Sequence, residues 1–95
     1  MYARITTYQC DPARLDDLTA KLDEIKVQVK AISGVVEVYS AWRADGNGIT
    51  AAIYENQAAA EAATPQVQAI WANLADLLVG SPNVETYENV VHVTA

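Results

Sequence analysis

Two hydrophobic patterns alternate along the first third of the chain. Residues 2–10 are rich in β-forming side chains and alternate in steps of two, which predicts a first strand. Residues 15–32 place leucine, isoleucine and valine three or four positions apart, the spacing of one face of an α-helix. Asp11 and Pro12 are typical of the start of that helix, and Gly34 is typical of its stop.

The next predicted elements are two strands joined by a hairpin turn. Residues 35–43 and 49–55 predict two strands. Between them, residues 45–48 read Asp-Gly-Asn-Gly, and we expect both glycines to supply the positive φ angles of a hairpin turn.

The remaining pattern predicts a second helix and a last strand. Asn56 is a suitable cap for a helix that begins with the alanine-rich residues 57–63. Thr64 and Pro65 predict a kink or a restart, because proline removes a helical hydrogen bond. The apolar stripe continues to Gly80, and residues 83–94 predict a long strand with apolar positions of both parities.

The predicted order, βαββαβ, is that of a ferredoxin-like split βαβ fold in a single domain over residues 1–95. This α+β fold has a four-stranded antiparallel sheet with two helices on one face. Its strands carry apolar side chains of both parities, so the face without helices needs a cover. We expect a homodimer through this sheet face. In the first strand, we expect Ala3, Ile5 and Thr7 to face the helices, and Tyr2, Arg4, Thr6 and Tyr8 to face the partner.

Three stretches carry a resemblance to a known family. They are Gly34-Val35, Ile53-Tyr54-Glu55-Asn56 and Val84-Glu85-Thr86-Tyr87-Glu88. In their order and spacing, the chain resembles the dimeric α+β barrel superfamily, and most of all its antibiotic biosynthesis monooxygenase-like (ABM) branch. The resemblance implies two sheets packed face to face, a chain end that often reaches the partner, and a pocket between sheet and helices.

Charge and composition narrow the possible partners. The chain has 12 acidic and 6 basic residues, a net charge of −6, and its basic residues are scattered, so no nucleic-acid partner is expected. No apolar run approaches the roughly 18 residues of a membrane helix, and the N-terminus lacks a signal-peptide pattern. We therefore expect a cytoplasmic protein without a membrane partner. Cys10 is the only cysteine and His92 the only histidine, so neither a metal site nor a cofactor is predicted.

Five residues are candidates for binding a small apolar or aromatic ligand. Trp71 lies on the apolar stripe of the second helix, where it is either a core residue or part of the wall of a ligand pocket. Trp42, near the hairpin, suits a ligand or a dimer contact. The hydroxyl of Tyr54 needs a structural partner or a ligand. His92 is a candidate general base, or a histidine bonded at the dimer edge. Arg43 suits an anionic substrate.

A second arginine, Arg4, also lies in a strand pattern, which is an unusual place for a charge. Like Arg43, it is a candidate for binding an anionic substrate or for an ion pair with Glu37 or Glu85. No catalytic residue is identified by the sequence alone.

Three functions remain open at this point. By the family resemblance, the chain is a cofactor-independent oxygenase of an aromatic or polyketide-like substrate, with Trp71, Tyr54, Arg43 and His92 in the pocket. Alternatively, it is a non-catalytic dimer that binds a ligand or serves as an accessory subunit. In the third case, it is a structural dimer whose pocket is filled by its own side chains. Haem-degrading relatives carry a histidine on the second helix and an asparagine on the first strand, and this chain has neither.

Overall fold

A computed structural model describes residues 1–95 and contains four strands and three helices. The strands are β1 (Tyr2–Gln9), β2 (Val35–Trp42), β3 (Asn47–Tyr54) and β4 (Asn83–Tyr87). The helices are α1 (Leu15–Lys30), α2 (Gln57–Ala62) and α3 (Thr64–Leu74). Short 3-10 turns precede α1 and follow α3, over Pro12–Arg14 and Ala75–Leu77.

All strand pairs are antiparallel, and the sheet order is β2-β3-β1-β4. The helices pack on one face of this sheet, where Tyr8 joins Leu18, Ile25 and Leu74 in one buried cluster. A second cluster contains Tyr54, Ile32, Ala60 and Ala63. The predicted ferredoxin-like α+β fold is therefore confirmed.

The helix ends follow the capping signals. The Asp11 carboxylate accepts a hydrogen bond from the Ala13 amide at 2.9 Å, and the Asn56 side chain accepts one from the Ala59 amide at 2.8 Å. The helical segment after Asn56 ends at Ala62 and restarts at Thr64, as proline at the next position requires.

The predicted orientation of β1 is wrong. Thr6 and Tyr8 face the helices, and Arg4 does the same, whereas Ala3 and Ile5 lie on the opposite face. Alternation fixes only which residues share a face, and here the face under the helices carries the larger and more polar side chains. The outer face, which the helices leave open, consists of Ala3, Ile5, Thr7, Glu37, Tyr39, Ala41, Ile49, Ala51, Ile53, Asn83, Glu85 and Tyr87.

The hairpin turn differs from its prediction in the role of one glycine. Gly46 has a φ of 91°, and its amide donates to the Arg43 carbonyl at 2.9 Å. Gly48 has no positive φ and belongs to β3. A Cβ at Gly48 would lie 2.2 Å from the Tyr8 ring, so this glycine is required by the close approach of an aromatic side chain.

The last strand is shorter than predicted and ends at Tyr87. Tyr87 pairs with Ala3, and β1 begins only one residue earlier, so no strand remains for later residues to pair with. Residues 88–95 instead leave the sheet edge. His92 Nε2 lies 3.0 Å from Glu37 Oε2 on β2, so this segment spans the sheet from β4 to β2.

Candidate ligand-binding site

A cavity of about 90 Å³ lies between the sheet and the helices. Eighteen residues line it, and fourteen of them are hydrophobic. The four others are Arg4, Thr6, Ser40 and Thr50, which project from three neighbouring strands. An apolar cavity with a few converging polar groups is the usual form of a small-molecule site.

The cavity continues into a groove of about 810 Å³ between α1 and the edge strand β2. Cavity and groove share six lining residues, namely Leu22, Ile25, Val29, Val35, Val38 and Ser40. The groove alone has the volume of a site for a drug-sized molecule, roughly 300–1,000 Å³. A ligand that enters beside β2 could therefore place one end in the cavity.

Arg4 forms the charged end of the cavity. Its Nη1 donates to the Tyr54 hydroxyl at 3.0 Å, and its Nη2 donates to the Ala60 carbonyl at 3.0 Å and to the Thr64 hydroxyl at 3.2 Å. The guanidinium carbon lies 5.3 Å from the centre of the Tyr54 ring. These contacts connect β1 to β3, to α2 and to the start of α3, and they hold the guanidinium in one place.

A chain of hydroxyl groups forms a second polar region. The Tyr8 hydroxyl lies 3.2 Å from Ser40 Oγ, which lies 3.0 Å from Thr50 Oγ1. Thr6 lies between Arg4 and Tyr8 on the same face of β1 and is only 2% exposed. Its hydroxyl takes part in none of the side-chain hydrogen bonds of the chain, and it lines the cavity.

Aromatic rings form one wall of the cavity. The rings of Tyr8 and Trp71 are 5.5 Å apart and tilted by 56°, a favourable arrangement for an aromatic pair. Burial raises the pKa of Tyr8 above its usual value of 10.0, against the opposing effect of its hydrogen bond to Ser40. Burial also raises the pKa of Tyr54, while the Arg4 charge lowers it. Both phenols are therefore protonated at neutral pH, and each has a proton that it can donate.

The five candidate residues from the sequence fall into four places. Trp71 and Tyr54 line the cavity. Trp42 lines the groove at the edge of β2 and packs against the core. Arg43 lies in the exposed hairpin turn, and His92 lies with Glu37 on the other side of the sheet. The structure therefore does not bring Arg43 and His92 together with the two cavity residues.

The polar residues of the cavity were missed by sequence reasoning or assigned otherwise. Arg4 was expected to face a partner, and either to bind an anionic substrate or to pair with Glu37 or Glu85. The expected orientation is wrong because Arg4 lies under the helices, and the expected ion pair is wrong because its hydrogen-bond partners are neutral groups. Thr6, Ser40 and Thr50 carry no signal that distinguishes them from other polar strand residues. The one available signal was the charge of Arg4 inside a strand pattern, which indicated a special environment.

No cluster of three or more His, Cys, Asp and Glu side chains with metal-binding geometry is present. None of the helices is long and apolar enough to cross a membrane.

Comparison with known proteins identifies the fold. Neither a protein-family model nor a curated protein matches the chain. A protein of unknown function from Nitrosomonas europaea superposes with a TM-score of 0.79 at 22% identity, covering 99% of this chain and 93% of that one. A proposed antibiotic biosynthesis monooxygenase from Deinococcus radiodurans gives 0.78 at 15% identity, over 100% and 98%. Another from Caulobacter crescentus gives 0.79 at 17% identity, over 95% and 90%. The predicted ABM-like fold is thus confirmed.

Proposed function

We propose that this chain, with its ABM-like fold, is a homodimeric domain that binds a small and largely apolar molecule between its sheet and helices. The observation that carries the proposal is the cavity, in which Arg4 and three hydroxyl-bearing side chains converge within an apolar lining. A few polar groups in an apolar pocket fix the orientation of a bound molecule and provide specificity.

The open connection to the groove favours ligand binding over a purely structural dimer. A structural dimer needs a core that its own side chains fill. Here the cavity and the groove share a continuous lining along β2, and that lining includes Val38 and Ser40. A ligand therefore has space in the cavity and a route into it through the groove.

A cofactor-independent oxygenase of an aromatic substrate is the second candidate, and the Tyr8–Trp71 wall beside Arg4 favours it. Arg4 would stabilise the anion that a phenolic substrate forms before it reacts with oxygen. A proton acceptor beside Arg4 is the part that this candidate lacks. The cavity lining contains no histidine, aspartate or glutamate, and the carboxylates of Asp23 and Glu37 line only the groove. Ligand binding without catalysis therefore has the stronger support.

The dimer part of the proposal rests on the outer face of the sheet. Its centre is apolar, with Ile5, Ala51 and Ile53 side by side on adjacent strands. Tyr39 and Ile49 are exposed on the same face. Sheet-on-sheet packing with a second copy would bury these side chains in one symmetric interface. The two ligand sites would then lie on opposite sides of the dimer, each beneath its own helices.

Filling the cavity should weaken ligand binding without harming the fold. Ala52 lines the cavity and pairs with Arg4 and Val38 in the sheet, so Ala52→Leu adds three carbon atoms to the free space. We expect the affinity for an aromatic probe such as naphthamide to fall about 10-fold or more, because a mismatch of one methylene in an apolar pocket already costs about 1–3 kcal/mol. The free energy of unfolding should stay the same or rise by up to about 1 kcal/mol. Calorimetric titration and urea denaturation measure the two quantities.

The matched control adds the same atoms elsewhere. Ala20 is exposed on α1 and lines neither cavity nor groove, so Ala20→Leu should bind naphthamide as the unaltered protein does. Unchanged binding by Ala52→Leu would show that the ligand lies somewhere else.

A further inference from the structure

Arg4 lies in the cavity wall without an acidic partner. Although the chain has 12 aspartates and glutamates, none of its four ion pairs includes Arg4. Its three hydrogen-bond partners are a phenol, a carbonyl and a hydroxyl, which are all neutral. No acidic side chain lines the cavity. This end of the cavity therefore carries a positive charge that the protein does not balance.

Hydrogen-bond donors are also in excess at this end. A guanidinium has five N–H groups, and Arg4 uses three of them, one on Nη1 and two on Nη2, so the Nε–H and one Nη1–H have no protein acceptor. The Tyr54 hydroxyl accepts from Arg4, and its own proton has no acceptor in the chain. Thr6 also lines the cavity and makes none of the chain's side-chain hydrogen bonds; because no fully enclosed side-chain polar atom lacks a partner, its hydroxyl is accessible. A complementary group must accept hydrogen bonds and carry negative charge.

We propose that the ligand of this cavity carries an oxyanion, a carboxylate or a phenolate, that binds at Arg4 with the Tyr54 hydroxyl beside it. This inference rests on the proposed function, because it names the chemical class of the molecule that occupies the same cavity. The apolar lining screens charge less than water does, so attraction between Arg4 and an anion is stronger there than at the surface. The aromatic wall of Tyr8 and Trp71 accommodates the apolar part of the ligand.

The net charge of −6 means that a preference for an anionic ligand cannot result from the overall charge of the protein. The protein as a whole repels anions, and at physiological salt that repulsion is screened beyond about 8 Å. Preference for an anionic ligand would therefore come from the site and not from the overall field. A cationic ligand, by contrast, would face Arg4 with no acidic side chain to offset the repulsion.

The test compares two probes of the same shape and different charge. Naphthoate and naphthamide are titrated into the protein in a calorimeter at neutral pH and physiological salt. We expect naphthoate to bind at least about 10-fold more tightly than naphthamide, because a charge-assisted hydrogen bond is stronger than a neutral one by about that factor in affinity. A nitrophenol, titrated as its anion against nitrobenzene, distinguishes a phenolate from a carboxylate preference. Preference for either anion supports the inference.

Two variants assign the preference to Arg4. Arg4→Met keeps the length and removes the charge, so it should bind both naphthalene probes with equal affinity. Arg4→Lys keeps the charge and should retain part of the preference for naphthoate. Circular dichroism establishes that each variant is folded, and the comparison of the two probes in the unaltered protein does not depend on the variants.

Equal affinities of the unaltered protein for naphthoate and naphthamide would overturn the oxyanion inference and leave the ligand site in place. Failure of both probes to bind would overturn the ligand site and the inference together.

Discussion

Gly46→Ala should lower the free energy of unfolding by about 3–4 kcal/mol. Gly46 has a φ of 91°, which costs an alanine about 1–2 kcal/mol. A Cβ there would also lie 2.0 Å from the Cys10 carbonyl oxygen, so the backbone would have to move. That movement strains the 2.8 Å hydrogen bond from the Cys10 amide to the Gly46 carbonyl. Urea denaturation at a fixed protein concentration measures the loss.

Gly80 provides the control for backbone strain alone. It has a similar φ of 76°, and nothing lies within 4 Å of the Cβ that an alanine would add. Gly80→Ala should therefore cost about 1–2 kcal/mol. Equal losses for the two variants would mean that the hairpin tip does not pack against the end of β1 as described.

Ala51→Arg should convert the proposed dimer into a monomer. Ala51 lies at the centre of the outer face, between Ile5 and Tyr39, so a symmetric interface would bury two added charges close together. Burying an unpaired charge costs several kcal/mol. We expect the dimer dissociation constant to rise by about 100-fold or more, which corresponds to about 2.8 kcal/mol. Sedimentation at micromolar concentration should give twice the chain mass for the unaltered protein and the chain mass for the variant.

Val27 on α1 provides the matched surface position. Its side chain is 74% exposed on the helical side of the domain, so Val27→Arg should remain dimeric. An Ala51→Arg variant that stays dimeric would place the interface elsewhere, and an unaltered protein that is monomeric would remove the dimer proposal.

The fold could be predicted because local signals agreed with one another. The caps at Asp11 and Asn56, the restart at Thr64 and the hairpin at Gly46 each depend on a few adjacent residues. Those signals also fixed the order of the elements, and the order determined the topology. The end of β4 was missed because it depends on where β1 begins, which is a matter of strand register and not of local pattern.

The site was harder to predict because alternation does not say which face of a strand is covered. Thr6 and Tyr8 share a parity with Arg4, and a strand with polar side chains at these positions favours the solvent or a partner as their environment. The helices nevertheless cover this face, and Arg4 finds its acceptors there on Tyr54, Ala60 and Thr64. Those acceptors lie 50 or more positions away in the chain. Hydrogen bonds between residues so far apart in the chain cannot be predicted from a single sequence.

The six isoleucines offer the most direct test of the ligand site. Three of them line the cavity, Ile25, Ile32 and Ile70, and three lie on the outer face, Ile5, Ile49 and Ile53. Isoleucine methyl NMR signals, followed while naphthoate is added, therefore report which side of the sheet the probe contacts. Binding between sheet and helices predicts shifts for the first three signals and little change for the others. Shifts confined to Ile5, Ile49 and Ile53 would contradict the account.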